Sequence, residues 1–302
     1  MQQNSPAKIN LFLEVTGHRA DGYHEIRTVF APLHSPLDHI SLARCTSDGP
    51  TLACDHVEVP VDERNLCWNA LLLHARETGL DSNWHIDLAK RIPVAAGLGG
   101  GSSDAAATLK LLNSQAGARA LSPAALSRLA SQLGADVPFF LEPTVSLAEG
   151  IGDKLQPVPC AASLPVLLVN PGCPISAAWA YGALGRVPVP DPPPVQALLD
   201  ALAAGDAAGV AANTFNALEH AVLHKFPLLG MLRDELVTAG CMAVHISGSG
   251  PTLFALGESD CLDDAAQQME QRVGAPLWVH RTRIMRTAGL LSQPHDSAAD
   301  GN

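Results

Sequence analysis

The sequence predicts an α+β fold of two lobes, and three observations predict it. Strand-like patterns of period two and helical patterns are mixed in both halves of the chain. The texture shifts between about residues 155 and 165, which places a boundary there. At 302 residues the chain is long enough for two domains and for a large core that needs no disulfide or metal staples.

Ala7 to Val15 alternates, with Ile9, Leu11, Leu13 and Val15 on one side and Lys8, Asn10, Phe12 and Glu14 on the other. That pattern predicts a half-buried strand with a polar-bearing second face. Arg19 to Tyr23 reads as a turn around Asp21-Gly22. Further strands are predicted over 26–33, 39–43 and 84–89, and a helix over 65–78 stopped by Gly79. A glycine-rich loop precedes a helix over 105–113, and Ser122-Pro123 opens another that runs to about Leu133. Gly134 to Pro138 is a loop, and 145–149 a strand.

In the second half a strand is predicted at 166–169. Residues 187–195 hold five prolines and are predicted to form an extended surface loop. Helices are predicted near 196–204, 215–223 and 226–239, and strands at 242–247 and 252–256 around Gly248-Ser249-Gly250. A helix near 259–272 and a strand near 277–284 end the fold, and the polar tail beyond is expected to be disordered.

Composition narrows the function classes. Hydrophobic residues make up 47% of the chain, which is too apolar for a disordered protein. The net charge of −11 argues against broad binding to nucleic acid or an anionic membrane, though not against a small anion held at a local site. Seven cysteines, an odd number without CxxC spacing, predict neither a disulfide framework nor structural zinc. His220 and His224 stand one helical turn apart but lack an HExxH pattern, so no metal site is assigned. No signal peptide or transmembrane run is visible, and the cytoplasm is the expected location.

The most informative segment is Pro93-Val94-Ala95-Ala96-Gly97-Leu98-Gly99-Gly100-Gly101-Ser102-Ser103. Glycines let backbone N–H groups approach a ligand, and a helix starting directly afterwards adds free N–H groups and its positive dipole end. Together they form a phosphate cradle. No lysine comes after the glycines as in GxxxxGK[ST], and the sixth position of GxGxxG is Ser102, so neither a P-loop nor a dinucleotide fingerprint is present.

These residues, with Ser5-Pro6-Ala7-Lys8-Ile9-Asn10-Leu11 and Ser247-Gly248-Ser249-Gly250-Pro251-Thr252, resemble the three motifs of the GHMP small-molecule kinases. Arg19 to His24 and Gly134 to Phe140 point within that family to the branch acting on a cytidine diphosphate–methylerythritol substrate. The resemblance spans about residues 5–285. It implies an N-terminal lobe like ribosomal protein S5 over 1–157 and a C-terminal ferredoxin-like lobe over 158–288, with a tail at 289–302.

The resemblance further implies ATP-dependent phosphorylation of the substrate's 2-hydroxyl, on the non-mevalonate route to isoprenoid precursors, with ATP carried as its Mg2+ complex. Catalysis falls to Lys8 and Asp136, and ATP binding to residues 93–103. Substrate binding falls to Asn10, Tyr23, His24, Tyr181, Gly248, Ser249 and Gly250. Family members often carry Thr near Ala177, a hydroxyl this chain lacks. Asn213, Asn216 and Glu219 read as support between the lobes, Lys90 as an edge of the adenine pocket or a solvated side chain, and Glu149 as a candidate acidic partner of Ser103 at the metal. The alternatives are a GHMP kinase acting on homoserine or mevalonate, and a non-catalytic nucleotide-binding relative. A monomer or weak homodimer is expected, without nucleic-acid or membrane partners.

Overall fold

Two long antiparallel strands, β1 (Gln2–His18) and β2 (His24–Arg44), form the centre of the first lobe, joined by the Asp21-Gly22 turn. The computed structural model describes residues 1–46, 49–272 and 277–286. Separate strands expected at 26–33 and 39–43 are one strand, because a register shift between Pro6 and Lys8 of β1 absorbs the segment between Pro32 and Leu37. β3 (Thr51–Cys54) pairs with β4 (Trp84–Ala89), which pairs with the end of β2. β5 (Ser146–Glu149) and β6 (Lys154–Pro157) extend the sheet from residues 28–30 of β2. The short strands β3 and β6 carry too few residues for a visible period.

The helices of this lobe are α1 (Leu66–Thr78), α2 (Gly100–Gln115) and α3 (Pro123–Leu133). Asn65 caps α1 by accepting from Cys67 N, and Ser122 caps α3 by accepting from Ala125 N. α2 packs on β1 and β2, with α1 and α3 against it.

Every residue of β1 from Ala7 to Leu13 is buried, which corrects the half-exposed strand expected from alternation. Ala7, Ile9 and Leu11 pack with Val166, Leu168 and Phe254 of the second lobe, so the two lobes share a core. The opposite face, bearing Lys8 and Asn10, is buried as well, because a polar site is built on it.

Between β6 and β7 (Pro165–Asn170) the chain passes to a second sheet. One short strand returns: β8 (Phe215–Asn216) lies parallel to β1, and Ala217 N donates to Leu13 O at 2.8 Å. The helix expected from 215 therefore starts at Glu219. The second sheet adds β9 (Ala243–Ile246), β10 (Leu253–Leu256) and β11 (Trp278–Arg283) in the antiparallel order β11-β7-β10-β9. Its helices are α4 (Ala177–Gly182), α5 (Val195–Ala204), α6 (Ala207–Ala212), α7 (Glu219–Lys225), α8 (Pro227–Thr238) and α9 (Ser259–Arg272). The proline-rich segment is irregular up to Pro194, the N-cap of α5, which begins at Val195. The expected tail at 289–302 lies outside the described residues. Among the described residues no helix is long and apolar enough to cross a membrane.

Candidate active site

The buried polar face of β1 carries Lys8. Its backbone N donates to Leu98 O at 2.9 Å, tying the strand to the glycine loop. Its ammonium donates to Asn10 Oδ1 at 2.6 Å, lies 3.5 Å from Asp136 Oδ2 and sits 4.9 Å from the centre of the Phe30 ring. Asn10 in turn donates to Thr28 Oγ1 at 2.8 Å. Both residues are almost fully buried, whereas the Asp136 side chain is 33% exposed. Asp136 is thus the member of the pair that a ligand can reach, and the lysine is a desolvated cation that opposes its charge.

Lys8, Asn10 and Asp136 line a cavity of about 750 Å³ together with Tyr23, His24, Tyr181, Gly248 and Ser249. Its far end is aromatic. His24 stacks on Tyr181 with ring centres 5.1 Å apart, and His18 meets His24 edge-on at 4.8 Å. Burial, and then the neighbouring His18, lower the pKa of His24, so the ring is held neutral. Burial, with Asp136 adding, pushes Tyr181 up to about 12. Tyr23 lines the cavity but stands 61% exposed at its rim, and Tyr181 is the stacking partner of His24. Ala177 and His18 also line the cavity, and the sequence did not single out His18.

A second cavity, of about 340 Å³, lies on the other side of the glycine loop. Residues 93–97 and 99–102 line it, with Asn65, Leu66 and Lys90. Gly97 and Gly99 border both cavities, so the loop is the wall between them. Gly99 has φ +73°, and a Cβ there would stand 2.7 Å from the Phe140 ring and 3.1 Å from Lys8 Cγ. α2 begins at Gly100, earlier than the predicted Ala105, so its first N–H groups belong to the loop itself.

Two residues of the expected ATP-binding run do not face this cavity. The side chain of Leu98 packs in the shared core, since alternation in the loop turns it inward. Ser103 is buried on α2, and its Oγ has no hydrogen-bond partner.

The second glycine loop joins β9 to β10 and docks on the first. Ser247 Oγ donates to Gly97 O at 2.9 Å, and Thr252 N to Ala96 O at 3.3 Å. A Cβ on Gly97 would fall 2.2 Å from Ser247 O. Gly248 faces the Lys8–Asn10 pair: its Cβ position is 3.2 Å from Asn10 Oδ1 and 3.8 Å from Lys8 Nζ. Gly250 is buried behind the loop, against Ile246 and Ile175, and does not line the cavity.

Lys90 is not solvated. Its ammonium is clamped between Asp38, from β2, and Asp104 Oδ2 at 2.7 Å, from α2. Ser5 Oγ donates to the other Asp104 oxygen at 2.6 Å, and Ile92 N to Asp38 Oδ1 at 2.8 Å. Burial alone would lower Lys90, but Asp104 and Asp38 outweigh it and raise the pKa. Two carboxylates share one cation, and burial pushes Asp104 up. Sequence reasoning missed Asp38 and Asp104. The signal was an acid amid the apolar residues of a strand, and another opening an alanine-rich helix.

Glu149 is no partner for Ser103, because it pairs with Arg27 at 3.3 Å and lines neither of these two cavities. Among the described residues no cluster of three or more His, Cys, Asp or Glu could hold a metal ion. Ser102 lines the second cavity and is compatible with a cation that arrives already held by phosphate oxygens, whereas the unpartnered Ser103 hydroxyl is buried away from it.

Comparison with known proteins adds to this geometry. The family model described as the GHMP kinases N terminal domain matches residues 65–142, and that of the GHMP kinases C terminal matches 196–275. A 4-diphosphocytidyl-2-C-methyl-D-erythritol kinase from Synechococcus sp. is 39% identical, over 95% of this chain and 94% of its own. A crystal structure of 4-(cytidine 5'-diphospho)-2C-methyl-D-erythritol kinase superposes with a TM-score of 0.77 at 35% identity, over 94% of this chain and 99% of that one. The homoserine kinase of Cytophaga hutchinsonii has a TM-score of 0.75 at 19% identity, over 94% of both chains, which shows a shared fold alone.

Proposed function

The chain belongs to the 4-diphosphocytidyl-2-C-methyl-D-erythritol kinase family of the GHMP kinases, and from that premise we propose that it phosphorylates the 2-hydroxyl of 4-diphosphocytidyl-2-C-methyl-D-erythritol with ATP. The step lies on the non-mevalonate route to isoprenoid precursors. The observation that carries this reading is the shared wall: Gly97 and Gly99 border both cavities, with Lys8 and Asp136 on the acceptor side.

Phosphoryl transfer asks for positioning and charge stabilisation more than covalent chemistry. ATP lies in the cavity of Asn65 and Lys90, its phosphates on the N–H groups of the loop and the start of α2. The acceptor hydroxyl attacks the γ-phosphorus, the bond to the bridging oxygen breaks, and ADP leaves. Asp136 takes or orients the hydroxyl proton, and Lys8 opposes the charge on Asp136 and on the attacking oxygen. Asn10 holds the Lys8 ammonium in place. Mg2+ bound to ATP would neutralise phosphate charge, and Ser102, which lines this cavity, would offer it a hydroxyl.

The cytosine is read by the aromatic end, where Tyr23, His24 and Tyr181 offer ring faces and a neutral imidazole. Stacking contributes about 1–3 kcal/mol per base. The same end favours a base-bearing acceptor over homoserine or mevalonate, which have no ring to stack. We place the enzyme in the cytoplasm as a monomer or weak homodimer, and its net charge of −11 supports the absence of nucleic-acid partners.

One assay tests the reading: ATP consumption with the cytidine diphosphate substrate, with homoserine, with mevalonate and with no acceptor. Turnover is expected with the first alone. Turnover on homoserine or mevalonate alone, or on none, would overturn it.

A further inference from the structure

The second glycine loop lies against Lys8 and Asn10, yet a turn between two four-residue strands has no intrinsic reason to hold that position. Its support comes from Asn216, which is 2% exposed. The Asn216 amide nitrogen donates to Ile246 O at 2.7 Å and to Gly248 O at 2.8 Å, so both of its hydrogens are spent on the loop and its root. Its oxygen accepts from Leu218 N at 2.9 Å, which fixes the amide's orientation. Glu219, three residues on, completes the anchor: Oε2 accepts from Ile246 N at 2.9 Å and faces His245 Nδ1 at 3.0 Å.

Asn216 belongs to β8, whose partner is β1, with Asn216 opposite Leu13. β1 is also the strand that carries Lys8 and Asn10. One strand therefore sets the position of the lysine directly and that of Gly248 through the Asn216 amide. We propose that Asn216 is a positioning residue for the transfer reaction: it touches no substrate but holds the Gly248–Ser249 wall of the acceptor cavity at a set distance from the Lys8–Asp136 pair. The inference rests on the kinase reading above.

The test compares the wild-type chain with Asn216→Asp, which keeps the shape but presents oxygen to two carbonyls. Asn216→Ser is the milder variant should the first not fold. The readouts are circular dichroism, the folded fraction, and kcat and KM for each substrate separately. Acceptor kcat/KM is expected to fall about thirtyfold, since two buried hydrogen bonds are lost, while the ATP KM stays within about twofold. Acceptor kcat/KM within about threefold of wild type in a folded variant would overturn the proposal. So would a loss shared equally by both substrates that tracks the folded fraction. Wild-type turnover separates the two levels: none with the cytidine diphosphate acceptor would sink the kinase reading and this inference with it, whereas normal turnover by wild type and variant alike would sink the inference alone.

Discussion

The glycine loop at 97–101 opens a helix, whereas the one at 248–250 turns a strand back on its neighbour, and the two take their shape from different sources. The first is shaped largely by its own helix: α2 starts at Gly100, and its unpaired N–H groups and dipole face the second cavity. Beneath it the Asp38–Lys90–Asp104 cluster bolts loop, strand and helix together. The second has no helix behind it. It is held by the Asn216 amide, the Glu219 carboxylate and the Ser247 hydroxyl, which reach it from other segments or cross to Gly97. A loop that needs only N–H groups can be built locally. One that must sit at a given distance from a buried lysine requires struts.

The largest effect is expected at the point both loops serve. Asp136→Asn removes the carboxylate while keeping its shape, and kcat should fall by about 10²–10⁴ with the fold intact by circular dichroism. Substantial residual turnover would remove Asp136 from its role as base. The foundation of the first loop comes next. Lys90→Met leaves two buried carboxylates without their cation and should cost about 3–5 kcal/mol in denaturant unfolding. A loss no greater than that of a surface lysine would show that the cluster does not carry the loop.

The contact between the loops is tested by Gly97→Ala. Its φ of +78° and the approach to Ser247 O forbid a side chain. We expect a loss of about 2 kcal/mol or more, together with weaker binding of both substrates, because both cavities share this wall. A smaller and one-sided effect is expected from Tyr181→Ala: the acceptor KM should rise about tenfold by loss of stacking, with the ATP KM unchanged. An unchanged acceptor KM would detach Tyr181 from substrate recognition.

The smallest effect concerns the helical layer under the first loop. His74 on α1 is 2% exposed, its Nε2 has no partner, and burial lowers its pKa from 6.5. The folded state resists a proton that the unfolded chain accepts, so stability should fall as pH drops through 6.5 and be unaffected well above it. Thermal midpoints of wild type and His74→Gln between about pH 8 and 5, at about one-unit steps, check this. Parallel curves would show that His74 does not contribute.

Much of the molecule was legible in the residue order, for reasons that differ by element. The caps Asn65 and Ser122 and the stop at Gly79 are local chemistry, and α1 and α3 stand where they are read. The turn before Tyr23 is likewise local. Legibility failed where backbone pairing or burial comes from far away. Residues 215–216 carry a helical pattern but form a strand, because β1 offers them partners. Lys90 looks like a surface lysine until Asp38, 52 residues distant, is placed on it. Leu98 sits in a cradle of small residues and still points into the core.

By itself the sequence determined the chemistry on offer. It supplied glycines where N–H groups must be bare, one lysine on a strand otherwise rich in apolar residues, an aspartate in a tight loop, and aromatic rings after a turn. These depend on residue type and short-range spacing, since capping, turn formation and backbone freedom act within a few residues. Only the tertiary structure decided which of these groups meet. It set Asp136 beside Lys8, turned Tyr181 rather than Tyr23 onto His24, and let Gly97 divide one cavity from another. It also buried both faces of β1 and made that strand the common reference for lysine and loop. The physical reason is that burial and long-range pairing depend on the whole packed arrangement, which no local window of the chain contains.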